Sequence, residues 1–351
     1  LPIALSSDSR VSTAQQSNSS IVYGSSIILK VFRRLSPGVN PEIELGRFLT
    51  TQTSFRNMPL LFGDWVYRAK DGLPRSLAVA QSFVPSVADG WTFTLDSIRT
   101  RADTGTSDAS RLGVLTAQLH LAFESAPDDP DLVPELIRAE DAASWENELL
   151  RFINSTVESL RPRLDRETGT TRELIGAFFA IAPRLKSQVV GFERLVGCTK
   201  TRVHGDYHLG QTLRTVGGDF VILDFEGEPQ RPIAERRAKT SPLKDVAGML
   251  RSFGYARGVI EHERGNGGQS PDLDRENLVA WERSFRKAFL DSYIAESHRG
   301  GARYLPPSDD DVRQALAAWE LDKALYEIRY ELNNRPDWLT LPLSAILNLA
   351  S

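Results

Sequence analysis

β-rich hydrophobic runs, broken by short polar turns, dominate the beginning of the chain. Two such runs between Val22 and Phe32 enclose a Gly-Ser turn and predict a hairpin. Further strands are predicted around Tyr67 and over Leu77–Val84, where Pro85 ends the run. The start of the chain is therefore predicted to form a small sheet.

The pattern changes from Ser110, where hydrophobic positions recur at helical spacing. Before that point, Asn40 and Pro41 have the residue types of a helix N-cap and first helical position. They predict a helix from Glu42 to about Thr51. Long helices are predicted near 141–160, 171–186, 243–257, 274–297 and 309–333, with a β insert at 201–224.

This order of strands and helices predicts an α+β fold with two lobes. Residues 1–84 form the small β-rich N-lobe, and residues 85–351 form the larger, mainly helical C-lobe. A hinge is expected near 81–86. The length of 351 residues fits this division, because it exceeds what one ordinary core serves.

Composition narrows the class of protein. Hydrophobic residues make up 41% and charged residues 25%, as in ordinary globular proteins. The net charge of −4 is spread along the chain, which argues against a nucleic-acid or membrane-surface partner. No apolar run has the length of a bilayer span, and the single Cys198 permits no internal disulfide, so a cytoplasmic location is expected. The chain begins with Leu1 rather than methionine, and residues are expected to be missing upstream.

The densest chemistry lies in the β insert. The turn Gly217-Gly218 predicts a hairpin with a two-residue loop, in which Gln211 is directly opposite Asp224. An amide oxygen beside a carboxylate is a hard-oxygen site suited to Mg²⁺. Asp206 precedes this hairpin on a loop and is free to face a substrate hydroxyl.

These groups match the needs of phosphoryl transfer, which are a proton acceptor, metal ligands and a lysine on the phosphates. Lys30 ends a hydrophobic strand and fits the lysine role, and Glu44 in the following helix is expected to pair with it. The loop Gln16–Ser20 would offer phosphate its backbone N–H groups and the hydroxyls of Ser19 and Ser20.

Two charged segments of the C-lobe have both a structural and a functional interpretation. The run 235–239 is a solvated face or a contact to nucleotide or substrate. The last long helix mixes aromatic and charged residues, which either pack with surface ion pairs or form a platform that stacks on a sugar. That platform would comprise Lys323, Tyr326, Tyr330 and Glu331, followed by Arg335 and Trp338.

Two histidines flank Asp206 and allow a zinc interpretation. His204 and His208 spell His-x-Asp-x-His with it, which could be a metal cluster. A buried hydrogen-bonding role for His204, bracing the loop, is the favoured alternative. Asp245, at the start of a helix, is expected to cap or anchor rather than catalyse, and His120 is expected in the core.

A glycosidase is the second hydrolytic alternative. Asp224, Glu226 and Glu228 could supply its acid and base. That interpretation leaves Lys30, Gln211 and the two-lobe layout unused, so it ranks below a kinase.

The order of these residues resembles the aminoglycoside-phosphotransferase-like branch of the protein-kinase fold. Within that branch the chain is similar to the bacterial maltokinases, including the form fused behind trehalose synthase. The resemblance spans nearly the whole chain and rests on segments Ser17–Gly24, Leu29–Arg33, Asn40–Phe48, His204–Gln211, Asp224–Glu228, Ser241–Arg251 and Tyr330–Trp338.

The resemblance implies a role for each group in the cleft. Asp206 is the implied catalytic base, and Gln211 and Asp224 are the implied magnesium ligands. Lys30 would hold the phosphates of ATP, with Glu44 as its partner. The implied adenine contact is the backbone of the hinge, at Gln81, Phe83 and Val84.

The resemblance also implies the acceptor, which would be the anomeric hydroxyl of maltose. The acceptor site would comprise Asp206, His208, Lys323, Tyr326, Tyr330, Glu331 and Arg335. A kinase for another sugar or amino sugar, such as glucosamine, is the alternative, as is a non-catalytic module that docks a trehalose synthase. Two departures from the superfamily pattern are the glutamine at the metal position and the absence of an N-terminal cap subdomain.

Overall fold

The computed structural model describes residues 8–11, 18–100, 105–126, 129–229, 231–265 and 274–349. The strands are β1 (Ser9–Val11), β2 (Ser19–Tyr23), β3 (Ile27–Val31), β4 (Leu61–Arg68), β5 (Pro74–Ser82), β6 (Ser86–Asp89), β7 (Glu135–Leu136), β8 (Thr199–Lys200), β9 (Thr212–Thr215) and β10 (Phe220–Ile222). The helices are α1 (Pro41–Gln52), α2 (Gly90–Thr100), α3 (Ser107–Glu124), α4 (Ala139–Leu164), α5 (Gly169–Leu185), α6 (Ile233–Arg236), α7 (Leu243–Gly265), α8 (Arg275–Arg299), α9 (Asp309–Asn334) and α10 (Thr340–Leu349). Short 3₁₀ segments cover Val189–Leu195, Leu209–Gln211 and Pro336–Trp338.

The N-lobe is an antiparallel sheet in the order β1-β2-β3-β5-β4. The predicted β2–β3 hairpin is confirmed, and it places Lys30 between Ser20 on one side and Val79 on the other. Ser19 and Ser20 belong to strand β2. Their predicted position in a phosphate-binding loop is therefore wrong, because the strand begins one residue after Asn18.

Helix α1 connects the two lobes. The predicted cap is confirmed, since the Asn40 side chain accepts a hydrogen bond from the Glu42 N–H at 2.9 Å. Ile43 packs in the N-lobe cluster, whereas Phe48 and Leu49 belong to the continuous core of the C-lobe. The helix thus carries its first turn, with the acidic residues, into the cleft between the lobes.

The C-lobe helices enclose that continuous core. α3 packs along α8, and α7 packs along α9, with the 3₁₀ segment Val189–Leu195 against α9. Phe123, Phe178 and Phe253 are fully buried members of the core. This packing fixes α7 and α9, the two helices that border the cleft described below.

The β9–β10 hairpin forms, but its predicted register is wrong by one residue. Arg214 pairs with Phe220, so Leu223, rather than Asp224, meets Gln211. The loop has three residues instead of two, and Gly218 occupies the left-handed region at φ +82°. Three-residue hairpin loops commonly end on such a glycine, and the sequence Gly-Gly fits either loop.

No helix within the described segments has the length and apolar character needed to cross a membrane.

Candidate active site

The loop between β8 and β9 carries Asp206, and a buried carboxylate holds it in place. Asp245 on α7 accepts hydrogen bonds from the backbone N–H groups of His204, at 2.7 Å, and Gly205, at 2.9 Å. Gly205 has φ +85°, a conformation that glycine adopts without strain. His204 is buried and lies 2.6 Å from the Leu223 carbonyl oxygen through Nε2. The predicted bracing role of His204 and the anchoring role of Asp245 are confirmed.

A second buried layer orients Asp245. His120 lies 3.2 Å from it through Nε2 and 2.9 Å from the Tyr293 hydroxyl through Nδ1. Burial opposes ionisation of Asp245, but the hydrogen bond and charge of His120 outweigh it and hold its pKa below the ordinary value. The position of the loop that carries Asp206 is therefore set by α3, α7 and α8 together.

Asp206 forms an ion pair that the sequence does not reveal. Lys323 on α9 lies 3.1 Å from its Oδ1 and 3.5 Å from Oε1 of Glu228. Burial opposes ionisation of Asp206, yet the charge and hydrogen bond of Lys323 prevail and lower its pKa. His208 itself has a lowered pKa, chiefly because it is buried. The site at neutral pH therefore holds an ionised Asp206 beside an uncharged imidazole.

Lys30 lies between two carboxylates from different lobes. Its Nζ is 2.8 Å from Oδ1 of Asp224 and 3.1 Å from Oε1 of Glu42. Burial opposes the charge of Lys30, but Glu42 and Asp224 more than compensate and raise its pKa. The predicted partner Glu44 is wrong, and Glu42 takes its place.

Helical geometry explains the exchange. Residues two apart on an α-helix point about 200° away from each other, so Glu42 and Glu44 cannot face the same group. Glu44 instead contacts Arg202 and lies 2.6 Å from Arg237. Arg237 belongs to the charged run 235–239, so this part of the run contacts helix α1 rather than only solvent.

Replacing each glutamate by glutamine should separate the two roles. Glu42→Gln should raise the KM for ATP and lower kcat by about tenfold together, because Lys30 loses one of its two orienting charges. Glu44→Gln should leave both constants near those of the parent but lower the melting temperature, because buried Arg202 loses its partner. Steady-state kinetics and thermal unfolding of both variants check this, and the reverse pattern would restore Glu44 as the partner of Lys30.

Asp224 and Gln211, the predicted metal ligands, both carry oxygen donor atoms. Asp224 has φ +65°, a strained value for a residue other than glycine and typical of functional sites. The Leu223 N–H donates to the Gln211 carbonyl at 2.8 Å. Asp224, the next residue, therefore lies near Gln211 on an adjacent segment but not directly opposite it. A carboxylate and an amide oxygen fit a hard cation such as Mg²⁺.

Hydrogen bonds in and after β5 change the prediction that the hinge backbone contacts adenine. Gln81 lies inside the sheet, paired with Ile28 and Leu61, and its side chain donates to Glu42 at 2.8 Å. The Phe83 N–H donates to the Ser26 carbonyl at 2.9 Å. Gln81 is therefore wrong as an adenine contact, because it is paired within the sheet on both sides. The Phe83 N–H is also bonded within the N-lobe, and Phe83 stays a predicted contact.

For the rest of the predicted nucleotide site, Val84 remains a predicted adenine contact. Ser19 accepts a hydrogen bond from Arg33 at 3.0 Å, on the exposed side of β2, and Ser20 is buried. Gln16 and Ser17 of the predicted phosphate loop lie outside the described residues.

A cleft of about 540 Å³ opens beside Asp206 and brings the predicted acceptor residues together. Its walls come from the loop between β8 and β9, from α7 and α9, and from the segment that follows α9. The predicted residues that line it are Asp206, His208, Lys323, Tyr326, Tyr330, Glu331 and Arg335, with Trp338 at its end.

Tyr326 and Tyr330, two residues of the predicted α9 platform, lie side by side. The rings of Tyr326 and Tyr330 stack with centroids 6.3 Å apart, and burial raises the pKa of Tyr326 to about 12. Glu331 is held by Arg335 at 2.6 Å and by the Tyr255 hydroxyl. These bonds fix a polar rim around two aromatic faces, an arrangement suited to a polyhydroxylated ring.

Sequence reasoning missed one wall of the cleft. Gly248, Ser252, Tyr255 and Val259 on α7 line it together. Their spacing of three or four residues places them on one helical face, a signal that the sequence contains. Asp89 and Trp91, at the start of α2, also line the cleft and give no such signal.

Comparisons with known proteins support the fold and the class of reaction. No family model matches the chain. Relatives from Streptacidiphilus jiangxiensis and Mycolicibacterium smegmatis, both named glucosamine kinase, are 27% and 28% identical over 343 residues. The matches cover 95% of this chain and 72% and 77% of those proteins.

Comparison with solved structures agrees with the sequence matches. A glucosamine kinase in complex with glucosamine, ADP and inorganic phosphate has a TM-score of 0.77 at 26% identity, covering 98% of this chain and 76% of that one. Aminoglycoside 2'-phosphotransferase-IIIa in complex with GDP has a TM-score of 0.55 at 12% identity, covering 99% and 94%, and supports the fold alone.

The predicted bilobal, protein-kinase-like fold is therefore confirmed, and aminoglycoside phosphotransferases share it. The chain is an ATP-dependent phosphotransferase with an alcohol group as acceptor.

Proposed function

We propose that this enzyme transfers the γ-phosphoryl group of ATP to a hydroxyl of an amino sugar such as glucosamine. The observation that carries the proposal is the cleft in which the Asp206 carboxylate faces the Tyr326–Tyr330 platform. The names of the two relatives and of the similar solved structures support the amino sugar.

Charge in the cleft favours an amino sugar over a neutral one. Of the four carboxylates among the described lining residues, Asp206, Glu327 and Glu331 pair with Lys323, Arg251 and Arg335, and Asp89 has no ion pair with another described residue. A carboxylate without a cation attracts an ammonium group, and most strongly where water is partly excluded. Maltose carries no charge and would gain only stacking and hydrogen bonds, so it becomes the alternative acceptor.

In the proposed mechanism, Asp206 accepts the proton of the sugar hydroxyl while the hydroxyl oxygen attacks the γ-phosphorus of ATP. The bond from that phosphorus to the β,γ-bridging oxygen breaks, and ADP leaves. Lys30 binds the phosphates from the side of the N-lobe. Asp224 and Gln211 would hold Mg²⁺, which neutralises phosphate charge when bound. Lys323 keeps Asp206 ionised and oriented before the sugar arrives.

The test of the function is transfer from ATP to a panel of sugars. Glucosamine should give the highest kcat/KM, with glucose and maltose well below it, since a site built around an ammonium group rejects analogues that lack it. The assay should lose its signal in EDTA and recover it with Mg²⁺. A preference for maltose would return the acceptor to the maltokinase prediction, and no transfer to any sugar would favour the docking module.

The platform residues should affect the sugar and not the nucleotide. Tyr330→Ala and Arg335→Ala should raise the KM for glucosamine by roughly tenfold and leave the KM for ATP nearly unchanged. Arg313→Ala, at an exposed position near the start of α9, is the control and should behave like the parent. Parental KM values for the sugar in both platform variants would show that the platform is only packing.

A further inference from the structure

A separate cavity of about 520 Å³ lies between the lobes, and Glu226 is one of its lining residues. Its N-lobe wall comes from Asn18 before β2, the segment between β3 and α1, and Ser76 of β5. Its C-lobe wall comes from the segment that leads into α6 and from α6 itself. The lining residues are Asn18, Phe32, Arg34, Ser36, Asn40, Ser76, Glu226, Pro229, Arg231, Pro232, Ile233 and Arg236.

Arg236 in this cavity has an unsatisfied donor. Its side chain is only 8% exposed, and Nη1 donates to the Glu226 carbonyl oxygen at 3.0 Å. Its Nε–H is buried and has no hydrogen-bond partner within the described part of the chain. A buried donor without a partner is costly and uncommon, so the cavity lacks an acceptor at this point.

Charge in the cavity is also incompletely balanced. The nearest carboxylate oxygen of Glu226 is 3.8 Å from Arg236, longer than a hydrogen bond. Arg34 and Arg236 both line the cavity. Burial lowers the pKa of Arg236, Glu226 opposes this, and the positive charge of Arg34 lowers it further. Among the described residues, no ion pair of Arg34 is formed. Two cations thus share at most one carboxylate, and the cavity favours an anion.

We propose that this cavity binds a phosphate-type oxyanion, free or as the ester of a small metabolite, between Arg34 and Arg236. A guanidinium group matches the geometry of a phosphate, and the free Nε–H of Arg236 gives it a donor. The hydroxyl of Ser36 lies on the same wall and can supply another hydrogen bond.

This site is distinct from the catalytic cleft. Its lining does not include Lys30, Asp206 or Asp224, the groups that handle the transferred phosphate. Because Arg34 belongs to the N-lobe and Arg236 to the C-lobe, a bound anion would add a further link between the lobes. Such an anion would act on lobe closure without touching the acceptor.

The test is calorimetric titration of the protein with inorganic phosphate, while Mg²⁺ and a non-hydrolysable ATP analogue fill the catalytic cleft. One phosphate should bind, and Arg34→Gln should weaken it at least about tenfold through the loss of a charge-assisted bond. Arg34 is exposed, so this variant should fold normally. Arg68→Gln, an exposed charge-matched change on β4, should bind phosphate like the parent.

Two results would overturn the proposal. One is an unchanged phosphate affinity in Arg34→Gln, and the other is loss of phosphate binding when the ATP analogue is added, which would put the anion in the catalytic cleft. The same titration with a hexosamine phosphate identifies the source of the anion. Tighter binding of the ester assigns the site to a sugar phosphate, and equal or weaker binding assigns it to free phosphate.

Discussion

Asp206→Asn should lower the turnover of the enzyme by at least about 100-fold, the usual contribution of a positioned base. Asparagine has the same shape as aspartate, but it cannot accept the proton of the sugar hydroxyl. The variant should stay folded, because Lys323 keeps Glu228 as a counter-charge at 3.5 Å. Affinity for an ATP analogue should stay near that of the parent, since Lys30 and Asp224 are untouched.

Kinetics, analogue binding and thermal unfolding of the variant check this expectation. Asp165→Asn, at an exposed position after α4, is the matched control and should keep full turnover. Turnover of Asp206→Asn near that of the parent, in folded protein, would remove Asp206 from the role of base.

Lys30→Ala should damage ATP handling and stability together. Its ammonium group holds the phosphates, so the KM for ATP should rise and kcat should fall, by about 100-fold in kcat/KM. The change also leaves Glu42 buried without its cation, which costs roughly 3–5 kcal/mol of folding free energy. The alanine variant is therefore informative for kinetics only if thermal unfolding shows that it is folded.

Lys30→Arg keeps the charge and separates the two effects. It should recover much of the stability but not the full kcat/KM, because a planar fork replaces a compact ammonium group poorly. If a folded Lys30 variant keeps the parental KM and kcat, then the phosphates bind elsewhere.

Local signals in the sequence were sufficient for the elements of the fold. Asn40 and Pro41 marked the start of α1 because a cap depends on only a few neighbouring residues. Four of the five long helices appeared within four residues of their predicted bounds, since helical spacing repeats over many turns, and α7 extends eight residues past its predicted end. Asp206 and the α9 platform meet in one cleft as the motif order suggested.

The wrong predictions concern positions where a shift of one or two residues along the chain changes the direction in which a side chain points. Glu42 and Glu44 have the same chemistry in the same helix turn, and only the packed structure shows which of them faces Lys30. The hairpin register depended on Gly217, because the primed two-residue turns need a positive φ there and the three-residue loop needs it only at Gly218. The sequence Gly-Gly allows either. Backbone hydrogen bonds of the hinge, such as that of Phe83 to Ser26, have no side-chain signature.

The ion pair of Lys323 with Asp206 was also not foreseen as such. The two residues are 117 positions apart, and the sequence suggested only that both belong near the acceptor. Long-range pairs of this kind are set by how α9 packs on the core, which no short motif records.

The two lobes have different shapes, but helix α1 makes the folding of each depend on the other. Its middle and end, at Phe48 and Leu49, are buried in the same hydrophobic interior as Phe123 of α3. A fragment ending at residue 84 would expose these side chains to water, and the remaining fragment would lose the residues that fill that part of its core. The two lobes are therefore not interchangeable modules, and a chimaera that exchanges one lobe must move α1 together with the interior that it completes.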